Sequence, residues 1–228
     1  EENLKGLSQM VKETGADVGI AHDGDSDRMM AVDERGRYIS GDKMLAILIK
    51  AAGAKDAVTT LDASMAIDEM GVKIRRTKIG DTWVSEELRR GGEFGGETSG
   101  AWIFPQISLC PDGIYAAAQI AKIAAGQKLS RLADGVPVYP LLRGNVNSNG
   151  LDILKLDILL EGLKPRAVSR IDGIKLYFMD GWLLVRPSGT EPKIRLTAEA
   201  RTERLARELY ELGLEAVKNS IDAGRKAS

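Results

Sequence analysis

Apolar residues recur at helical spacing in the first fifteen positions, with Leu4, Leu7 and Val11 on one face and Gly15 as a stop. The run that follows, 17–22, is apolar and of strand length, and it opens into a polar loop. Residues 28–40 then read as two short strands around the turn Asp33-Glu34-Arg35-Gly36. Gly41 and Asp42 precede a helix over 43–52. The middle of the chain alternates: strand 57–62, a helix around 64–71, strand 73–79, helix 82–90, strand 93–104 and helix 113–126. Such alternation predicts a parallel sheet sandwiched by helices. Prolines at 137 and 140 mark a connector. Beyond it, strands within 167–188 joined by glycine turns, a strand over 193–200 and an amphipathic helix over 202–221 predict a separate α+β domain. The class is α/β followed by a smaller α+β part. A parallel sheet rarely begins with a lone helix feeding one strand and a hairpin, so residues 1–40 read as the second half of a domain whose first half is absent.

Composition narrows the function classes. With 32 Lys and Arg against 33 Asp and Glu, interspersed along 228 residues, the chain has no basic stripe for nucleic acid, so any anion site is local. No apolar run is long enough to span a bilayer, which excludes a membrane partner of that kind. The single cysteine, Cys110, cannot form an intramolecular disulfide, and a reducing cytoplasm is the expected setting.

Three loops carry candidate chemistry. In HDGDSDR, Asp23, Asp25 and Asp27 alternate at the carboxyl end of an apolar strand, where α/β sheets bind ligands. Three hard oxygen donors in one loop suit Mg²⁺. A calcium EF-hand is excluded because Arg28 stands where its glycine belongs. A solvated acidic turn fits less well, since three like charges this close repel without a cation. In RPSGTEPKIR, Ser188, Gly189 and Thr190 lie between Arg186 and Arg195. Hydroxyls and a glycine turn make an anion nest, and arginine forks match phosphate. A polar β-turn with an internal Arg–Glu191 pair accounts for this stretch equally well. The third loop, within GGEFGGETSG (91–100), reads by itself either as a bulged hairpin or as a ligand loop. Its match to a GGEF-type signature ends at Gly95.

Taken in order, DGDSDR, GGETSG and RPSGTEPKIR resemble the metal, sugar and phosphate loops of the α-D-phosphohexomutase family, which includes phosphomannomutase, phosphoglucomutase and phosphoglucosamine mutase. The resemblance covers essentially the whole chain. It implies a four-domain fold around a cleft, with residues 1–40 as the end of the metal-binding second domain, 41–136 as the sugar-binding third and 137–228 as the phosphate-binding fourth. It implies phosphoryl transfer between C1 and C6 of a hexose phosphate, through an active-site phosphoserine and a bisphosphate intermediate. Mg²⁺ would be held by Asp23, Asp25 and Asp27, with Arg28 adding a positive contact to the transferring group. Glu97 and Ser99 would hydrogen-bond sugar hydroxyls, and Arg186, Ser188, Gly189, Thr190 and Arg195 would hold the phosphate not being transferred. The substrate would be glucose, mannose or glucosamine phosphate.

The sequence departs from the family in two places. The phosphoserine motif, resembling T-A-S-H-N-P, does not occur; Ser64 lacks the His-Asn-Pro and reads as a helix cap. Alone, therefore, the chain is expected to bind metal and phosphate without completing a mutase cycle. Many members also carry histidine after the sugar motif, where this chain has Ala101, so the general base is unassigned. His22 reads as a packed strand-end residue, Cys110 as a buried thiol, and Trp83, Trp102 and Trp182 as core. Lys78, Gly80 and Asp81 resemble a third-domain loop that reads the sugar or its phosphate, although Asp81 also fits a helix cap. Three accounts compete: a portion of a conventional mutase that lacks its amino-terminal part, a binding module without catalysis, and one subunit of a split mutase completed by a partner chain.

Overall fold

The computed structural model describes residues 2–149, 151–188 and 191–227, with side chains described through residue 221. The chain divides into two compact units, Glu1–Pro137 and Val138–Ser228. In the first, a 3₁₀ turn leads into α1 (Lys5–Thr14), which ends at Gly15 with φ 67°. Strands β1 (Val18–His22), β2 (Met29–Asp33) and β3 (Tyr38–Ile39) then form an antiparallel sheet in that order. A second sheet has the order β5-β4-β6-β7. In it β4 (Asp56–Thr60) runs parallel to β5 (Lys73–Thr77) and to β6 (Phe94–Gly96), while β7 (Trp102–Ile103) returns antiparallel to β6.

Helices cover both faces of this second sheet, as the alternating pattern predicts. On one face α3 (Asp81–Leu88) sets Val84 and Leu88 against Val58 and Ile103. On the other, α2 (Gly41–Ala51) and α4 (Gly113–Gly126) enclose Ala57, Phe94, Trp102 and Phe104, and Phe104 packs edge-on against both Phe94 and Tyr115. The same core takes in Met29, Ala31 and Ile39 from the first sheet.

Polar bonds reinforce that union. Both Glu34 oxygens accept from Ser130, from its N–H at 3.1 Å and its hydroxyl at 2.5 Å, at the start of α5 (Leu129–Asp134). Arg37 donates to both Asp134 oxygens, at 3.0 and 3.2 Å, and through Nε to buried Asp33 at 2.8 Å. A carboxylate buried this deeply is tolerated because Arg37 and two backbone N–H groups, those of Arg35 and Arg37, satisfy it.

The structure departs from the pattern-based expectations in several elements. The single strand expected over 93–104 is the β6–β7 pair, with the glycine-rich loop as its turn. Residues 65–70 form a 3₁₀ helix rather than an α-helix. α5 lies ahead of the connector, in a stretch to which the pattern assigns no element, because Leu129 and Ala133 bury against the first core.

The second unit is an antiparallel sheet of order β8-β12-β11-β10-β9: β8 (Leu141–Asn147), β9 (Ala167–Ser169), β10 (Ile174–Tyr177), β11 (Gly181–Pro187) and β12 (Lys193–Ala200). Helices α6 (Ile153–Glu161) and α7 (Glu203–Ala227) supply its core from Leu156, Leu160, Leu209 and Val217, packed on Leu176, Leu183 and Leu196. Among the described residues, no helix is long and apolar enough to cross a membrane.

Gly41 shows how closely the fold packs against the glycine-rich loop. A Cβ there would overlap the Thr98 carbonyl, a backbone atom that cannot swing away. Gly41→Ala is therefore expected to lower stability by about 1–3 kcal/mol, read as a reduced urea midpoint at unchanged slope. An unchanged midpoint would show that the loop is not held against α2.

Candidate functional site

β1 and β2 converge on the loop 23–28, which is built around Asp23. Its Oδ1 accepts the Arg28 N–H at 3.2 Å and its Oδ2 accepts Arg28 Nε at 2.6 Å. Ser26 takes a positive φ of 63° inside this tight turn. Asp23, Asp25 and Asp27 each present a carboxylate oxygen, and these atoms lie within 4.8 Å of one another. Partial desolvation pushes Asp23 up, but the Arg28 N–H, its guanidinium bond and its charge outweigh this and hold the carboxyl below the usual range. Asp27 moves the other way: desolvation and the charges of Asp25 and Asp23 raise it. Its Oδ1 is buried without a hydrogen-bond partner, and Arg28 Nε is 3.7 Å away.

This donor set fits Mg²⁺. Oxygens bound at about 2.1 Å in an octahedron lie roughly 3 to 4 Å apart, so only a small contraction of the loop is needed. Each carboxylate oxygen has a spare lone pair, so Asp23 can ligate without releasing Arg28. A cation would also satisfy the orphaned Asp27 oxygen and remove the repulsion that raises it.

The metal loop is bonded directly to the glycine-rich loop. Arg28 and Ala101 form an antiparallel bridge, the Met29 N–H donates to the Gly100 carbonyl at 2.9 Å, and the buried Trp102 indole N–H donates to the Met29 carbonyl at 2.7 Å. On the other side, Gly113 opens α4 directly beneath the metal loop, where a Cβ would stand 2.6 Å from the Ser26 carbonyl. His22, Asp23, Arg28 and Ser99 share one open cleft of about 340 Å³ with Ala21, Met30 and Tyr38.

Within the glycine-rich loop, Glu97 is half-buried. Its Oε1 accepts the Gly80 N–H at 2.7 Å, and the exposed Ser99 hydroxyl is 3.4 Å from Oε2. Burial raises its pKa, and the charges of Asp62 and Asp81 add to the rise against the Gly80 and Ser99 bonds. Glu93, in the first Gly-Gly-Glu, is exposed before β6 and accepts from the Lys55 N–H. The two repeats thus sit in different environments.

In the second unit Arg186 and Arg195 are cross-strand partners on β11 and β12. The Ser188 N–H donates to the Lys193 carbonyl at 2.7 Å, and the Ser188 hydroxyl is a buried atom without a partner. Gly189 and Thr190 lie outside the described residues. Glu191 pairs with Lys193 at 2.9 Å and reaches Arg195 only at 3.9 Å, so an internal Arg–Glu191 pair is a minor feature of this turn.

Four expectations need correction. Cys110 is exposed rather than buried, because residues 105–112 form a surface loop around it. Asp81 does not cap α3; Gly80 holds that position, and its N–H turns instead to Glu97. His22 is exposed at the end of an edge strand, with Nε2 3.1 Å from the Gly113 carbonyl; a carbonyl only accepts, so this bond places a proton on Nε2. Trp83 is 43% exposed with the Lys78 ammonium 4.4 Å from its ring centroid, whereas Trp102 and Trp182 are core. Ser64 does cap the 3₁₀ helix, accepting the Ala66 N–H at 3.1 Å, and Asp112 caps α4. The Trp102–Met29 and Gly80–Glu97 bonds join distant segments and have no local sequence signal.

Comparisons with known proteins bear on this geometry. Residues 1–36, 40–139 and 140–212 match the family descriptions "Phosphoglucomutase/phosphomannomutase, alpha/beta/alpha domain II", the same family's domain III, and its C-terminal domain. A "Probable phosphoglucosamine mutase" of Methanocella arvoryzae is 47% identical over 98% of this chain and 52% of its own length. A phosphoglucosamine mutase of Methanococcus aeolicus is 39% identical over 97% of this chain and 54% of its own length. The chain spans about half the length of the curated relatives it matches. Among solved structures, a phosphoglucomutase/phosphomannomutase family protein of Burkholderia thailandensis superposes with TM-score 0.80 at 26% identity, over 96% of this chain and 50% of its own. An N-acetylphosphoglucosamine mutase of Aspergillus fumigatus, at 18% identity and TM-score 0.62 over 93% of this chain and 52% of its own, shares the fold.

The raised pKa of Glu97 has a testable sign. A carboxyl whose folded pKa is raised favours folding while protonated, and that contribution is lost as pH rises through the folded value. Glu97→Gln keeps the acceptor for Gly80 and removes the charge. The variant is expected to melt above the parent at pH 7.5, with the gap closing below about pH 4, where the unfolded carboxyl is also protonated. A parent that melts as high as the variant at pH 7.5 would show that burial does not strain this carboxylate.

Proposed function

Because the chain belongs to the phosphoglucomutase/phosphomannomutase family, we propose that it is the metal-, sugar- and phosphate-binding part of a phosphohexomutase acting on glucosamine phosphate. The observation that carries this reading is the backbone junction of the two loops: Arg28 and Met29, which close the loop bearing Asp23, Asp25 and Asp27, are bonded to Ala101 and Gly100, which close the loop bearing Glu97 and Ser99. One ligand can therefore meet a cation and sugar-binding side chains within one folded unit, where Asp23, Arg28 and Ser99 share a cleft. The names of the relatives support the amino sugar; glucose and mannose phosphates differ from it at C2.

In this reading residues 1–40, 41–136 and 137–228 are the metal, sugar and phosphate segments. Mg²⁺, when bound by Asp23, Asp25 and Asp27, supplies charge neutralisation of a phosphoryl group. Arg28, held by Asp23, adds a fixed positive edge beside that group. Glu97 accepts from sugar hydroxyls and Ser99 donates to or accepts from them, which fixes the ring relative to the phosphoryl group. Arg186, Ser188 and Arg195, with Gly189 and Thr190, hold the second phosphate. The nucleophilic serine comes from a segment outside this sequence, such as an amino-terminal part or a partner chain, so these 228 residues bind without turning over. A cytoplasmic setting suits this chemistry.

Isothermal titration of the chain with MgCl₂ tests the metal assignment. Asp25→Asn removes a ligand that Arg28 does not occupy, and it is expected to weaken Mg²⁺ binding by about tenfold or more. Equal affinity for parent and variant would exclude the acidic loop as the metal site. Arg195→Ala is expected to weaken glucosamine 6-phosphate binding while leaving Mg²⁺ affinity unchanged; loss of both would indicate unfolding rather than a local role.

A further inference from the structure

The pairing of β11 with β12 sets Arg186 directly opposite Arg195. Like charges in that position repel, and each arginine has an acidic neighbour. The two neighbours are not equivalent. Arg195 and Glu191 are half-exposed and 3.9 Å apart, and Glu191 is shared with Lys193. Arg186 Nε lies 3.0 Å from Asp172 Oδ2, with the two side chains only 19% and 22% exposed. The approach is off the N–H axis, so the contact is an ion pair rather than a hydrogen bond.

The turn before β10 presses Asp172 into this place. Gly173 follows at φ 75°, and a Cβ there would stand 2.5 Å from the Val185 carbonyl and 2.8 Å from Arg186 Cα. The carboxylate therefore approaches from a backbone packed on Arg186 itself, where it has little freedom to move. A guanidinium carries five N–H groups in a rigid fork. A carboxylate 3.0 Å from Nε holds that end of the guanidinium by charge and leaves the edge made by the two Nη groups for a second anion. Arginine is the longer and freer partner, so Asp172 determines where that edge points.

We infer that Asp172 is a positioning residue: its charge orients the Arg186 guanidinium to receive the phosphate of the ligand. This rests on the phosphate-binding reading of residues 186–195. The opposite role has an equally clear signature, because a carboxylate that merely lay near a phosphate site would repel the ligand and its neutralisation would tighten binding.

Asp172→Asn separates these roles with little risk to the fold, since asparagine serves the turn as well as aspartate. Inorganic phosphate is titrated into the ¹⁵N-labelled chain and affinity is read from amide shifts in β11 and β12. Arg186→Ala is expected to weaken binding about tenfold. Asp172→Asn is expected to weaken it about fivefold, and the double variant to bind no more weakly than Arg186→Ala alone. An Asp172→Asn chain that binds as the parent does, or more tightly, overturns the inference and leaves the phosphate reading standing, as do losses that simply add. A parent that does not bind phosphate, or an Arg186→Ala chain that binds equally well, overturns the reading and the inference with it.

Discussion

The arrangement of the first unit depends on a short backbone junction: the bridge between Arg28 and Ala101, with the Met29–Gly100 and Trp102–Met29 bonds beside it. The acidic loop grows from an antiparallel sheet and the glycine-rich loop from a mostly parallel one. The junction is what bonds the two loops to each other. Because main-chain atoms make most of the contact, the side chains at 28 and 101 are not spent on it, and Arg28 remains available to Asp23. Met29 and Trp102 are fully buried at the same place. A hydrogen bond there is shielded from water, and breaking it would leave a carbonyl unsatisfied in the core.

Around the junction the chain tolerates electrostatic conflict that a structural loop has no reason to keep. Asp27 is raised by desolvation and by its two acidic neighbours, and Glu97 by burial with Asp62 and Asp81 nearby. Elsewhere in the same unit acids away from solvent are answered: buried Asp33 by Arg37 and two N–H groups, half-buried Glu34 by Ser130. The contrast sits within one folded body, so it cannot be laid to a generally acidic chain. Local strain of this kind collects where a ligand is expected to relieve it.

Much of this was legible in the sequence, for reasons that differ by element. The alternation of apolar runs specified most strands and helices of the first unit, because their faces bury against the clusters on the two sides of the second sheet. The acidic, glycine-rich and phosphate motifs are contiguous, so spacing alone displayed their donors. What could not be read is whatever depends on distant partners. The β6–β7 turn looked like one strand because Phe94 and Trp102 flank it with apolar residues. α5 is a single polar-faced turn and a half that gains its place from Glu34, Arg37 and the core beneath Leu129. Gly80 resembled part of a loop that reads the sugar or its phosphate, and its N–H is committed to Glu97. Cys110 and Trp83 were assigned to the interior by residue type, and a surface loop and a lysine partner place them outside.

The two candidate ligand surfaces are organised by different means, and the difference follows from their sheets. In the first unit a main-chain junction sets where the loops lie, and side chains then contribute charge. In the second, the ladder between β11 and β12 already fixes the backbone, and it does so by setting two arginines face to face. A cross-strand pair of like charge opposes the ladder that holds it, so something must offset the repulsion. Asp172 does this for Arg186 from a turn that cannot retreat, whereas Glu191 is exposed and divided between Arg195 and Lys193. The offset is therefore unequal: Arg186 has a close ion pair but a buried Nε without a hydrogen bond, and Arg195 has only a distant, shared and exposed acid. An anion reaching that turn would complete the balance that the protein's own acids leave unfinished.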